Sequence, residues 1–310
     1  MRTSTPRVSA GRRVLVTGGA GFIGTAVVDA LVAAGDEVVV ADRRPPANRE
    51  VAYVAGDLLD PAIREKAFAA GVDAVVHLAA FTSVLRSVER PADCLRANVE
   101  LTAQLLELSR LRDVGTFVLA STNAVAGDHG TTPITEDSPL RPMSPYGATK
   151  AAAEMLLAGY AGAYQMTTSA LRFSNVYGPG MQEKDSFVPR LMRAALTGTG
   201  VEVYGDGEQC RDLVHVDDAV QGVRLALAGQ LPGPAIIASG QSVTVNELVA
   251  AAREVTGAPI PVTRVPAKAG EMPAVVVDVA RSRARGYVPG HDLASGLATV
   301  WDDWRPAETG

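Results

Sequence analysis

Through the first half of the chain, short runs of branched apolar residues alternate with longer stretches whose apolar positions return every three or four residues. Val14–Thr17, Glu37–Ala41, Val51–Ala55, Ala74–Leu78 and Thr116–Ala120 are nearly continuous in apolar residues, so they read as strands buried on both faces. Between them Phe22–Ala34, Pro61–Ala70 and Pro91–Leu111 keep a helical period, and Pro61 and Pro91 suit a first helical turn. Strands alternating with helices at this spacing predict right-handed βαβ units and a Rossmann-type, doubly wound parallel sheet of the α/β class.

A further helix over Tyr146–Tyr160 and a strand over Thr168–Phe173 continue the pattern. Beyond Tyr177 it changes: Gly178-Pro179-Gly180 marks a turn, and the segments become shorter and mixed. Helices are expected at Phe187–Leu196, Asp217–Leu227, Thr244–Val255 and Leu293–Trp304, with Ala235–Ser239 as one more strand of the main sheet. The expected organisation is therefore a sheet domain over 11–177 plus about 213–240. A smaller C-terminal α/β lobe takes 178–212 and 241–310, and residues 1–10 form a disordered start.

Composition narrows this picture modestly. Of 310 residues 47% are hydrophobic and 20% charged, ordinary values for a soluble globule, and the net charge of −5 contains no block of like charges. A nucleic-acid partner is not expected. Cys94 and Cys210 lie far apart without metal-ligand spacing, which predicts two reduced thiols and no metal site. The N-terminus lacks the apolar core of a signal peptide, and no run approaches the roughly 20 apolar residues of a membrane span. A cytoplasmic protein without a membrane partner is the expectation.

The chemistry begins at Gly18-Gly19-Ala20-Gly21-Phe22-Ile23-Gly24, directly after the first strand and opening a helix. Gly18 permits the tight turn, Gly21 lets a ligand pyrophosphate approach the backbone, and Gly24 allows close helix–sheet packing, while the helix start offers N–H groups to an anion. Asp42 ends the second strand, where a carboxylate accepts from both ribose hydroxyls of NAD and repels a 2′-phosphate. Arg43 and Arg44 pull the other way, since arginines there can hold the phosphate of NADP. Asp57, beside Leu58, is placed to accept from the adenine amino group. Leu78, Ala79 and Ala80 after His77 are small enough for a cofactor to lie across the strand. His77 itself reads as structural.

Tyr146 and Lys150 sit one helical turn apart, downstream of a strand that ends in Ser121-Thr122. A phenol ordinarily titrates near 10, too high for a base at neutral pH. A neighbouring ammonium and a positively charged nicotinamide would favour its phenolate. Lys150 can also reach the nicotinamide ribose, and Thr122 can hold a substrate oxygen.

On these residues, and on the ordered stretches TGGAGFIG, GDLLD, HLAA, RANVELT, LASTNAVAG, SPYGATKAAAE, LRFSNVYGPG, GDGEQCRDLVHVDD and a WDDW tail, the chain resembles the extended short-chain dehydrogenase/reductases. Within them it is most similar to the NAD-dependent epimerase/dehydratase family, in its UDP-glucose 4-epimerase branch. The resemblance implies that Tyr146 is the acid/base, that Lys150 lowers its pKa, and that Thr122 takes the catalytic Ser/Thr position. It implies a cofactor role for Gly18, Gly21, Phe22, Ile23, Gly24, Asp42, Asp57, Leu58, Leu78, Ala79, Ala80, Asn98 and Ser121. Ser83, Asn123, Asn175, Arg211, Lys268 and Glu271 are implied on the side of a nucleotide-diphosphate sugar. Arg211 would pair with the diphosphate, which suits a guanidinium fork. The loop Gly180–Ser186, with Glu183, Lys184 and Asp185, is expected to line the sugar site.

Departures from the family pattern point to a reaction. Dehydrating relatives carry Asp-Glu after the Thr and decarboxylating ones a Glu, whereas this chain has Asn123-Ala124. Val125-Ala126-Gly127 replaces Val-Tyr-Gly and opens space. Lys268-Ala269-Gly270-Glu271 stands where Arg-x-Gly-Asp is usual. The implied reaction is epimerisation at C4 of a nucleotide-linked hexose, through a transient 4-keto sugar. A 4-keto-sugar reductase using NAD(P)H, and a non-catalytic dinucleotide sensor, remain as alternatives. The resemblance implies a homodimer whose four-helix interface uses Pro91–Leu111 and Tyr146–Tyr160, although by sequence alone their apolar faces fit a core equally well.

Overall fold

A computed structural model describes residues 11–267 and 274–305. Its elements are β1 (Arg13–Thr17), α1 (Phe22–Ala33), β2 (Glu37–Asp42), β3 (Ala52–Ala55), α2 (Pro61–Phe68), β4 (Ala74–His77), α3 (Val84–Glu89), α4 (Pro91–Leu95) and α5 (Leu101–Leu111). There follow β5 (Thr116–Thr122), α6 (Pro145–Tyr164), β6 (Thr167–Phe173), β7 (Asn175–Tyr177), α7 (Phe187–Thr197), β8 (Val201–Tyr204), β9 (Cys210–His215) and α8 (Val216–Leu227). The chain then runs through β10 (Gly233–Ile237), β11 (Ser242–Thr244), α9 (Val245–Thr256), β12 (Val262–Val265), α10 (Ala280–Ala284) and α11 (Leu293–Trp304).

The seven-stranded sheet has the order β10-β6-β5-β4-β1-β2-β3, and all its pairs are parallel. It is the Rossmann-like, doubly wound sheet that the alternation predicts. Both faces are covered. Val14, Val16, Val38, Val40 and Val76 face α1 and α8 through Val27, Val28, Leu31 and Val223. Leu15, Val39 and Val75 face the other way, onto Phe68, Leu105, Leu106 and Leu157. Each such side chain, once fully buried, contributes about 1.5–3 kcal/mol, which explains why the strands read as unbroken apolar runs.

The Pro91–Leu111 segment is not one regular helix. Between α4 and α5 the turn over Arg96–Glu100 widens to π geometry. Thr102 donates its hydroxyl to Asn98 O at 2.6 Å, a side-chain bond to a carbonyl inside the widened turn. The expected strand Ala235–Ser239 begins and ends two residues earlier, as Gly233–Ile237. The reason is Asp212, fully buried on β9, which accepts from Ser239 N at 3.0 Å, Ser239 Oγ at 2.9 Å and Gly240 N at 2.8 Å and so draws the chain out of the sheet. Its Oδ1 also accepts from Ser174 Oγ at 2.6 Å, just after β6. Helix α3, the short strands β7, β8, β9, β11 and β12, and α10 have no counterpart in the sequence reading.

A second core forms the lobe, where Leu191, Met192, Val203, Leu248, Leu297 and Val300 pack together from α7, β8, α9 and α11. The three-stranded sheet β11-β9-β7 lies between the two cores in the chain's path, with β7 parallel to β9 and β11 antiparallel to it. Among the described residues no helix is long and apolar enough to cross a membrane. Residues 1–10, Lys268 and Glu271 lie outside the described residues.

Candidate active site

One cavity of about 1440 Å³ runs between the C-terminal ends of the parallel strands and the lobe. This is the crevice at which open α/β sheets place ligands. At one end stands the glycine turn. Gly18 has φ +72°, and a Cβ there would lie 2.6 Å from Ala79 N. A Cβ on Gly24 would lie 2.2 Å from Gly18 O, so the third glycine lets α1 close on the turn itself more than on the sheet. Gly21 is the N-cap of α1 and no side chain caps it, which leaves the helix start suited to an anion.

Asp42 braces this turn. Its Oδ2 accepts from Ala20 N at 3.1 Å and its Oδ1 from Arg44 N at 3.0 Å. A carboxylate has lone pairs beyond these two, so it can still accept ribose hydroxyls. The Arg44 guanidinium turns away, to Glu183 at 3.0 Å and Ala20 O at 3.3 Å. The Glu183 end of the Gly180–Ser186 loop therefore meets the adenosine end of the site, although Lys184 and Ser186 still line the cavity. That loop is pinned to the lobe, with Gly180 N donating to Asp303 at 2.8 Å and Arg193 donating to Gln182 O and Lys184 O at 3.0 and 2.9 Å. Asp57 also lines the cavity, its Oδ1 accepting from Leu59 N at 2.9 Å.

In the middle, Ser121 and Thr122 end β5 and face the start of α6. Ser144 caps that helix by accepting from Gly147 N at 3.1 Å, and Pro145 fills its first turn. Tyr146 N donates to Ser87 Oγ at 3.1 Å, which fixes α3 against the helix. Burial pushes the Tyr146 phenol up to about 12, and the Thr122 hydroxyl that hydrogen-bonds it pulls it back down. Lys150 is almost fully buried and donates to Ala120 O at 2.8 Å. Burial lowers its pKa to about 8, against the opposing pull of Cys94 and Glu154. A phenol, a hydroxyl and a poised ammonium thus converge beside the strand over which a nicotinamide would lie.

Behind them is a polar frame that sequence reasoning missed. Glu154, one turn beyond Lys150, accepts from Arg172 through two guanidinium nitrogens, Nη2 at 2.7 Å and Nε at 3.1 Å, and from the Ser121 hydroxyl. All three residues are buried, and β5–β6 register sets Ser121 opposite Arg172. The Lys150–Glu154 spacing was the available signal.

Asn98 lies behind the cavity wall, where it can order the site next to a cofactor. Every polar atom of its side chain is spent on bracing. Oδ1 accepts from Phe81 N at 2.8 Å, while Nδ2 donates to Phe81 O at 3.1 Å and Thr149 Oγ1 at 3.0 Å. It ties the loop after β4 to the helix that carries Tyr146. His77 is structural: Nδ1 meets Thr17 Oγ1 at 2.7 Å and Nε2 meets Thr102 Oγ1 at 3.1 Å. Burial, with Lys150 nearby, holds it near 3 and hence neutral.

The far end is built from scattered segments. Asn123 is buried and lines the cavity, and neither Nδ2 nor Oδ1 has a partner. Asn175 lines it too and donates to Asp212 O at 3.1 Å. Arg211 lines it from β9, with Nη1 donating to Cys210 O at 2.8 Å. Ser83 lines it while capping α3 through Arg86 N at 3.2 Å. Glu202, Tyr204, Gln209 and Arg190, together with Arg86 and Arg96, complete the wall without having been anticipated. Only β8, which the sequence reading left unassigned, brings the first two in.

Residues 14–237 match the model of the NAD dependent epimerase/dehydratase family. The chain belongs to that family, and its cofactor is NAD. It is 31% identical to a UDP-glucose 4-epimerase of Corynebacterium glutamicum, covering 93% of this chain and 94% of that one. It is 36% identical to a dTDP-glucose 4,6-dehydratase of Streptomyces griseus, covering 93% and 92%. Among solved structures it is similar to the Thermus thermophilus UDP-glucose 4-epimerase in complex with NAD. The TM-score is 0.88 at 34% identity, over 95% of this chain and 99% of that one. Epimerases and dehydratases thus stand at comparable identity, so the reaction must be argued from the site.

Proposed function

We propose that this enzyme is a nucleotide-sugar 4-epimerase, acting on a UDP-hexose. The observation that carries the reading is the pair of residues after Thr122. Asn123 and Ala124 place no carboxyl group where water could be eliminated from the sugar. Among the described residues, the carboxylates that line the cavity lie elsewhere: Asp42 and Asp57 at the adenosine end, Asp93 beside Arg90 on α4, and Glu202 on β8. Dehydration needs a proton donor for the leaving hydroxyl, and an amide cannot supply one.

NAD, when bound, supplies the two-electron oxidation at C4 and its reversal. Tyr146 takes the proton of the C4 hydroxyl and later returns it. Its phenolate, disfavoured by burial in the protein alone, is supported by the Lys150 ammonium, by the Thr122 hydroxyl and by the positive charge of the oxidised cofactor. Thr122 holds the same sugar oxygen. Arg211 anchors the diphosphate, so the sugar can turn while the nucleotide stays in place. The unpartnered amide of Asn123 binds a sugar hydroxyl.

The active form is a homodimer. Leu85 on α3, Leu95 on α4 and Met155 on α6 are 61, 48 and 63% exposed, which is costly for a monomer. Molar mass by light scattering tests this, and a monomer would refute it.

The decisive experiment incubates purified protein with UDP-glucose and no added cofactor. UDP-galactose should form, and NAD should co-purify. A 4-keto-6-deoxy product would make it a dehydratase. Stoichiometric consumption of NAD(P)H with a 4-keto sugar would make it a reductase.

A further inference from the structure

Away from the large cavity, two of the four histidines meet across one carboxylate. His215 closes β9, Asp217 lies in the first turn of α8, and His291 precedes α11. His215 Nδ1 lies 3.4 Å and His291 Nε2 3.3 Å from the same oxygen, Asp217 Oδ2. The two rings stack with centroids 3.8 Å apart at 33°. One donor atom of each residue lies within 4.8 Å of the other two.

Hydrogen bonding decides where the His215 proton sits. Its Nε2 is 2.9 Å from Thr299 Oγ1, and that hydroxyl donates its own hydrogen to Gly296 O at 2.8 Å. The threonine oxygen must therefore accept, which puts the proton on Nε2. Nδ1 in turn accepts from Asp217 N at 3.2 Å, so it bears a lone pair. That lone pair also faces Asp217 Oδ2 at 3.4 Å, a contact that favours a cation between the two, and a cation there would replace the long hydrogen bond from Asp217 N.

The spacing suits such a cation. Ligand atoms around a tetrahedral ion with bonds of about 2.0–2.1 Å stand about 3.3 Å apart, and both histidine–carboxylate separations already match. Asp218 fixes the third ligand's backbone by accepting from Gly290 N at 2.7 Å, and its buried Oδ2 has no partner. Two imidazoles and a carboxylate are a donor set for a borderline dication, and not for magnesium or calcium.

We propose that His215, Asp217 and His291 bind one transition-metal dication of the zinc class. Thr299 orients the His215 ring from behind, and water takes the open position. Asp217 is 66% exposed, so the ion has a path to the site. The metal joins the start of α8, packed on the main sheet, to the segment that leads into α11 of the lobe. Its role is to tether the lobe, not to take part in the reaction at C4.

The test uses the full chain without a histidine tag, stripped with chelator. Zinc titration by calorimetry should show one site per chain, and zinc should raise the melting temperature. Cobalt should give the visible absorption of a tetrahedral centre. His291→Ala, in a partly exposed segment, should weaken binding at least about tenfold and abolish the thermal shift, and His129→Ala should do neither. Thr299→Val should also weaken binding, with Thr299→Ser restoring it. His215→Ala should abolish binding, and, should it fail to fold, the exposed Asp217→Asn should weaken binding in its place. Absence of stoichiometric binding overturns the proposal. So does binding that survives in His291→Ala, which would place the metal elsewhere, and so does equal affinity for magnesium.

Discussion

The two ends of the large cavity are built by different means. The cofactor end and the Tyr146 centre rest on backbone geometry and a closed polar frame: the glycine turn, the Asn98 brace, and the buried Ser121–Glu154–Arg172 set. The nucleotide-sugar end is assembled from side chains on β7, β8 and β9 and on loops far apart in the chain, and it keeps an unpartnered amide in Asn123. The difference teaches that the first end is held for accuracy whatever is bound. The second is left with hydrogen-bonding capacity that a ligand must fill.

The largest expected effect is on the chemistry. Tyr146→Phe should lower kcat by about 10²–10⁴-fold while leaving NAD bound and the fold intact, as seen by turnover and cofactor absorbance. Next comes the frame. Glu154→Ala strands the Arg172 guanidinium in the interior and should cost about 3–5 kcal/mol in urea unfolding; a loss below 1 kcal/mol would mean that the frame does not brace the site.

Lys150→Met separates function from stability. Lys150 titrates near 8 instead of 10.5, so at pH 7 the folded protein carries a charge that burial disfavours. The unfolded state binds the proton more tightly, and stability contributed by this group rises as pH climbs from 8 to 10.5. The variant should lose activity yet gain up to about 3 kcal/mol at pH 7, with the gain gone above pH 10.5. An unchanged difference across that range would refute the buried charge. On the other side of the comparison, Asn123→Ala should raise KM by about 2–12-fold without loss of stability, because no protein hydrogen bond is broken. The smallest effect is expected from Glu183→Gln. The Arg44–Glu183 pair is exposed, so melting should report less than about 1 kcal/mol.

The same contrast governs what the amino-acid sequence reveals. The glycine turn, Asp42 and the Tyr146–Lys150 pair were legible because each is enforced by local spacing, and main-sheet strands because burial on both faces leaves long apolar runs. The strands β7 to β9 were not, since residues such as Glu202 and Tyr204 alternate with buried neighbours over only four positions. Asn98 was legible as a residue that orders the site, but its partners Phe81 and Thr149 were not, because they come from separate segments of the chain. The Arg172–Glu154 pairing depends on strand register, which no local pattern carries.

Asp212 gives this architecture a kinetic consequence. The chain leaves the main sheet at Ser174 and again at Ser239, and one buried carboxylate holds both exits and the strand between them. Any swing of the lobe as a rigid jaw would strain that junction at both crossings together. Substrate entry and product departure should therefore proceed through side-chain and loop adjustments at a cleft of nearly constant width. In the proposed reaction, the 4-keto sugar must then be retained by its anchored nucleotide, not by a door that shuts behind it.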